Sequence, residues 1–169
     1  MQFDPMDKNS YPRDQKTKYS INIISAQQLP KPKSSEKGEV IDPYVQLKVH
    51  GPQIDSDFNL KNLHSQNKMM EKNCVLNNGF NPVFDQKFTI EVFLKELCML
   101  EIQIFDQDIG QDDQIAQCFL PMEFIEEGFR TVSLYDKKGN DLKPANLLVE
   151  VSIDNKPPMK TDASACQIF

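Results

Sequence analysis

Four aspartates, Asp106, Asp108, Asp112 and Asp113, fall within eight residues of the segment FDQDIGQDDQIA, residues 105–116. Two like charges about 4 Å apart repel by roughly 4 kcal/mol at an effective dielectric of 20. Something at this turn must offset that repulsion, and a hard divalent cation does so directly. Calcium takes six to eight oxygen ligands at about 2.3–2.6 Å. Carboxylates on a turn at a strand end can converge on one ion where regular strand residues cannot. A solvated hairpin loop accounts for the same composition, because aspartates favour turns by bonding their own backbone. An EF-hand is excluded: a loop starting at Asp106 needs Gly at its sixth position and Glu at its twelfth, and Gln111 and Gln117 stand there.

Other chemistry-bearing residues are sparse. Cys74, Cys98, Cys118 and Cys166 form no CxxC pair and have no histidine cluster beside them. That argues against zinc and against a disulfide scaffold. Reduced thiols of a cytosolic protein fit, with Cys74, Cys98 and Cys118 as small buried hydrophobes. His50 ends an apolar run and His64 lies in a polar stretch, so both read as strand-end or surface histidines. The net charge is −6. The terminal tails are slightly basic, so the acid surplus sits in the body of the chain. Bulk charge of this sign argues against nucleic acid. It also opposes an anionic membrane unless something neutralises it.

The elements that position the aspartates are strands. Period-two alternation recurs in YSINIIS (19–25), YVQLKVH (44–50), KFTIEVF (87–93), LEIQIFD (100–106), RTVSLYD (130–136) and NLLVEVSID (146–154), as half-buried strands require. Segments 68–76 and 115–121 carry weaker versions. Clusters of Gly, Pro, Asn and Asp separate the runs, so the expectation is an all-β, eight-stranded antiparallel sandwich. FLKEL (93–97) and MEFIEE (122–127) can each form a turn or two of helix. Residues 51–67 show no period and read as a long surface loop. Residues 1–18 read as a tail without signal-peptide character, 19–154 as the domain, and 155–169 as a flexible C-terminal tail around Pro157-Pro158. No apolar run reaches membrane-spanning length.

Several motifs, in order, resemble the C2 domain family: Leu29-Pro30, Asp42-Pro43-Tyr44-Val45, Asn81-Pro82-Val83-Phe84, Phe105-Asp106-Gln107-Asp108 and Asp113-Gln114-Ile115-Ala116. The segments IISAQQLPKPK, IDPYVQLKVHG, NNGFNP and EEGFRTVSLYDKKGN are similar to the C-terminal C2 domain of delta-type phosphoinositide-specific phospholipases C. The resemblance implies the second, circularly permuted (type II) strand order and a calcium cup formed by three loops at one end. By motif, Asp42 is the first-loop ligand, Asn77 the second-loop ligand, and Asp106, Asp108 and Asp113 the third-loop ligands. Backbone carbonyls near Val40 and Gln107 supply further oxygens, and Asp112 is left as a solvated neighbour. The first loop departs from the fullest cups, offering only Glu36 and Glu39 among lysines. Asn77 is neutral, and Ala116 replaces a common glycine. The site is therefore expected to hold fewer ions, or hold them more weakly.

The same resemblance implies an anionic phospholipid membrane as partner, met from the cytosolic face, with protein partners as a further class. Ile109 is the expected membrane-contact residue. Val40 and Ile41 read first as packing beneath the first loop. Lys61, Lys68 and Lys72 form either a basic strip or a solubilising strand face. The last four residues, Cys166-Gln167-Ile168-Phe169, match C-a-a-X with a terminal residue that favours geranylgeranyl. One lipid chain anchors marginally, and stable attachment takes a second signal. The sequence reading is thus a non-catalytic, calcium-dependent membrane module, prenyl-anchored at Cys166. Two alternatives stay open: the C2 fragment of a phosphoinositide phospholipase C, and a calcium-independent protein-interaction domain.

Overall fold

Alternating apolar residues can be buried only if every second side chain meets a second layer, and the chain folds accordingly. A computed structural model describes residues 16–32, 40–52, 79–108 and 111–154. Seven strands lie among them: β1 (Thr17–Gln27), β2 (Pro43–His50), β3 (Val83–Val92), β4 (Met99–Asp106), β5 (Asp113–Pro121), β6 (Gly128–Tyr135) and β7 (Asp141–Asp154). The eighth candidate, 68–76, lies outside the described residues, as does the 53–67 part of the expected loop. The two short helical segments are 3-10 turns of three residues, Lys95–Leu97 and Met122–Phe124.

All pairings are antiparallel, and the strand order is β2-β4-β5-β6-β7-β1-β3. The order folds over at β5–β6, where Gln117 opposite Tyr135 is the one register pair. One layer is therefore β2-β4-β5 and the other β6-β7-β1-β3. Both feed a single core. Leu47, Leu100, Ile102 and Ile104 from the first layer and Ile21, Ile23, Leu134 and Leu147 from the second are all fully or almost fully buried. Cys98 and Cys118 are buried among them, as their apolar settings imply. A hydrogen bond from Tyr19 Oη on β1 to the Met122 carbonyl (3.0 Å) links the layers at one end.

Register fixes which residues share the other end. Pro43 opens β2 opposite Asp106, and Asp106 lies opposite Asp113. Proline at a strand's first residue gives up no ladder bond that the interior needs. β1 begins, and β7 finishes, at the far end: Lys18 pairs with Asp154. Chain entry and exit thus sit opposite the acidic turn.

Candidate functional site

The acidic end is built from the stems of separate turns tied to one another. Asp42, at the end of the first loop, donates its backbone N–H to Asp106 Oδ1 at 2.7 Å, and its carbonyl accepts from Gln107 N–H at 3.1 Å. Asp106 is buried, with 2% of its surface exposed. Its carboxylate is the C-terminal residue of an inward-facing row, Leu100, Ile102 and Ile104, which is why an acid stands over the core. The stem of the second loop is stitched to β1: Ala26 N–H bonds the Pro82 carbonyl, Leu29 N–H the Phe80 carbonyl, and Gln28 N–H the Asn81 side chain, each at 3.0 Å. Gly79 lies directly against the Ile41 side chain and carbonyl, leaving no room for a Cβ. This close approach seats the second-loop stem beside Asp42.

The structure therefore gathers Asp42, Asp106, Asp108 and Asp113 at one rim, with Asp106 and Asp113 on adjacent strands. Asn77, Ile109 and Cys166 lie outside the described residues, as do Lys61, Lys68, Lys72, Glu36, Glu39, His64 and Cys74. Among the described residues no group of three or more His, Cys, Asp or Glu side chains is gathered tightly enough to hold a metal. Two carboxylates are turned to protein donors instead. Asp106 takes the Asp42 N–H. Asp112 accepts the phenol O–H of Tyr44 at 2.7 Å and the backbone N–H of Asp108 at 3.2 Å.

Asp112 is thus not the solvated neighbour expected from its motif. It is half-buried and braces the third loop against β2. Tyr44 is held for this task by stacking on Phe105, with ring centroids 5.5 Å apart and planes 19° apart. Hydrogen bonds to ionised acceptors are roughly twice as strong as neutral ones, so these donors offset part of the repulsion with the protein's own groups. The chemistry of the donor set fits calcium all the same. It is carboxylate and carbonyl oxygen, the hard ligands calcium prefers over softer metals. The described imidazole lies elsewhere: His50 bonds the buried Glu101 at 2.6 Å, at the far end of β2.

Val40 and Ile41 part company. Ile41 is buried, as expected, but Val40 is 52% exposed and stands at the rim. Phe80, which the sequence reading passed over, is 59% exposed on the second-loop stem. A Gly-Phe-Asn-Pro run signals a turn, and a phenylalanine at its tip was the available clue. The rim thus carries two large apolar side chains beside the carboxylates. No helix among the described residues is long and apolar enough to cross a membrane.

The C2 domain family model matches residues 17–137. The human protein called inactive phospholipase C-like protein 2 is 36% identical over 151 residues, an overlap covering 88% of this chain and 12% of that protein. Human 1-phosphatidylinositol 4,5-bisphosphate phosphodiesterase delta-3 is 32% identical over 152 residues, covering 89% of this chain and 17% of that protein. The chain therefore spans a small part of the length of these relatives. Among solved structures, PLC21 from S. officinalis superposes with a TM-score of 0.67 at 22% identity, covering 92% of this chain and 18% of that one.

Proposed function

The chain belongs to the C2 domain family, and on that premise we propose that it is a calcium-dependent module for anionic phospholipid membranes, peripheral on the cytosolic face. The observation that carries the reading is the shared rim: Asp42 bonded to Asp106, Asp113 opposite Asp106, and exposed Val40 and Phe80 beside them. Asp42, Asp106, Asp108 and Asp113 would hold the ion, with Asn77 and the carbonyls of Val40 and Gln107 completing the set. Bound there, calcium supplies positive charge and open coordination positions for lipid phosphate oxygens. Val40, Phe80 and Ile109 then enter the headgroup layer, which the acidic rim otherwise repels. Burying one such side chain contributes about 1.5–3 kcal/mol. Cys166 would add a prenyl anchor, and two weak attachments on one chain act by avidity.

The test is vesicle sedimentation of the intact chain in calcium and in chelator. Wild type binds phosphatidylserine vesicles in calcium only, and Asp106→Asn/Asp108→Asn loses at least tenfold, or about 1.4 kcal/mol. Equal binding by both proteins under both conditions would refute the reading. Membrane flotation of Cys166→Ser from cells isolates the contribution of the tail.

One observation favours a second reading, a calcium-independent interaction domain: Asp106 and Asp112 already hold protein donors. Calorimetric titration separates the two, since the first requires heat on calcium addition in the presence of lipid. Catalysis is not part of either reading for this segment. The relatives named above include a phosphodiesterase and a protein named inactive, and this chain covers 17% and 12% of their lengths.

A further inference from the structure

Beside the acidic rim, on the β5 side, the surface changes sign. A cleft of ≈ 420 Å³ opens between the Pro30–Pro32 stretch and the turn joining β6 to β7, and Lys31, Lys137 and Lys138 line it. Its size falls within the range of small-molecule clefts. Asp113 and Asp136 line it too, so three ammonium groups against two carboxylates leave the recess at +1 on a chain of net charge −6.

Both walls are fixed in place by local chemistry. On one side, Leu29 is buried and its N–H is bonded to Phe80, so the prolines that follow leave from a pinned point. On the other, Asp136 folds the turn around itself. Its Oδ1 accepts the backbone N–H groups of Lys138 and Asn140, each at 2.8 Å, and its Oδ2 accepts the Asn140 side-chain amide at 2.7 Å. Asn140 above all, by its side chain and its backbone N–H, holds the Asp136 carboxyl below its usual range. The carboxylate oxygens are thus engaged by donors of the turn itself, with the Lys138 charge acting on them as well, while Lys137 and Lys138 line the recess. Asp136 and Asn140 of that turn, Gln114, an amide donor, and Asp113, the edge shared with the acidic rim, complete the polar lining.

We propose that this lysine-lined cleft binds a phosphomonoester, held by Lys31, Lys137 and Lys138 and presented by a lipid headgroup or by a soluble phosphate ester. Ammonium groups bind phosphate as compact point charges with several donors each. A monoester carries up to two negative charges against one for a diester, so a cleft with three ammonium groups discriminates between them. Asp113 on the shared edge keeps weakly charged headgroups from being held there by charge alone. The inference deepens the membrane reading and rests on it for the orientation of this end toward a bilayer.

The experiment uses the full chain and Lys137→Ala/Lys138→Ala, whose substitutions lie on an exposed turn; equal thermal midpoints show that both fold. In chelator, each is titrated with phosphatidylcholine vesicles containing phosphatidic acid, with vesicles matched in surface potential by phosphatidylserine, and with soluble glycerol 3-phosphate. Wild type prefers the phosphatidic acid vesicles by about tenfold, or about 1.4 kcal/mol, beyond the attraction that the matched surface potentials share, and the double variant loses that preference. Saturable glycerol 3-phosphate binding that the variant lacks supports the cleft and assigns it to a soluble ester. Vesicle preference without it assigns a lipid. A variant that keeps the full preference, or a wild type that shows neither response, overturns the proposal. If wild type prefers phosphatidic acid in chelator yet shows no calcium-dependent binding to phosphatidylserine, the calcium reading fails and the cleft stands. The reverse result sinks the cleft alone.

Discussion

The β2–β4 ladder and the β5–β6 junction solve opposite problems. The ladder runs through eight consecutive register pairs without a bulge, from Pro43 opposite Asp106 to His50 opposite Met99. The junction has the single pair Gln117 opposite Tyr135. An unbroken ladder sets the relative height of two turns to within one residue, because a slip of one would send every side chain to the wrong face. That is how Asp42 meets Asp106. The junction sets no such height. It lets the sheet fold into two layers, and the layers are held by shared apolar burial and by the Tyr19–Met122 hydrogen bond. Positioning lives in the ladder, and closure lives in the core.

The comparison is broken most severely by emptying the ladder. Ile102 is fully buried and lies between Leu47 and Cys118 in register. Ile102→Ala should cost about 2–5 kcal/mol, read as a lower denaturant midpoint with unchanged slope. Alkaline titration strikes both regions. Burial is the main cause that pushes the Cys118 thiol from 9.0 up to about 12, with Glu101 adding to the rise. Burial, then the charges of Glu96 and Cys98, push the Tyr19 phenol from 10.0 up to about 12. The folded state thus retains protons that the unfolded chain releases. The stabilisation is intact below pH 9 and drains away as pH climbs toward 12, at about 1.4 kcal/mol per unit for each group. Equilibrium unfolding between pH 8 and 11.5 should trace that decline.

Tyr19→Phe sharpens the picture, because it removes the donor that joins the layers while keeping the ring. A cost of about 0.5–1.5 kcal/mol follows from the lost bond, since the Met122 carbonyl keeps the Ile125 N–H at 3.4 Å, and the alkaline decline becomes shallower. Gln117→Ala at the junction should matter least. Its side chain bonds Gln114 at 2.8 Å and the Asp136 carbonyl at 3.2 Å on a half-buried surface. A loss of no more than about 1 kcal/mol is expected, measured as a small shift in thermal midpoint.

Much of this was legible in the residues themselves. Alternation located every described strand, since burial on one face demands period two. Where alternation was interrupted, the strand ends were not found. β3 begins at Val83 although its first clear alternation starts at Lys87, because polar Gln86 stands between Phe84 and Phe88 on the half-buried face and hides the apolar period. β7 begins at Asp141, ahead of the apolar run, through residues that include Pro144. The co-location of Asp42 with Asp106 followed from motif order. The tasks given to Asp112 and Phe80 did not. Asp112 is fixed by a phenol 68 residues away in sequence, a contact that no local spacing encodes. Phe80 is exposed because the stem it belongs to is stitched to β1 through its backbone, which leaves the ring outside.

The Tyr44–Asp112 bond has an optical consequence. The chain contains no Trp and only four Tyr, so phenol emission is not masked by indole. A carboxylate that accepts a phenol proton dims that emission, and anything that draws Asp112 away restores it. β2 therefore carries, bonded to the third loop, a built-in, label-free fluorophore whose brightness reports the state of the Asp112 carboxylate.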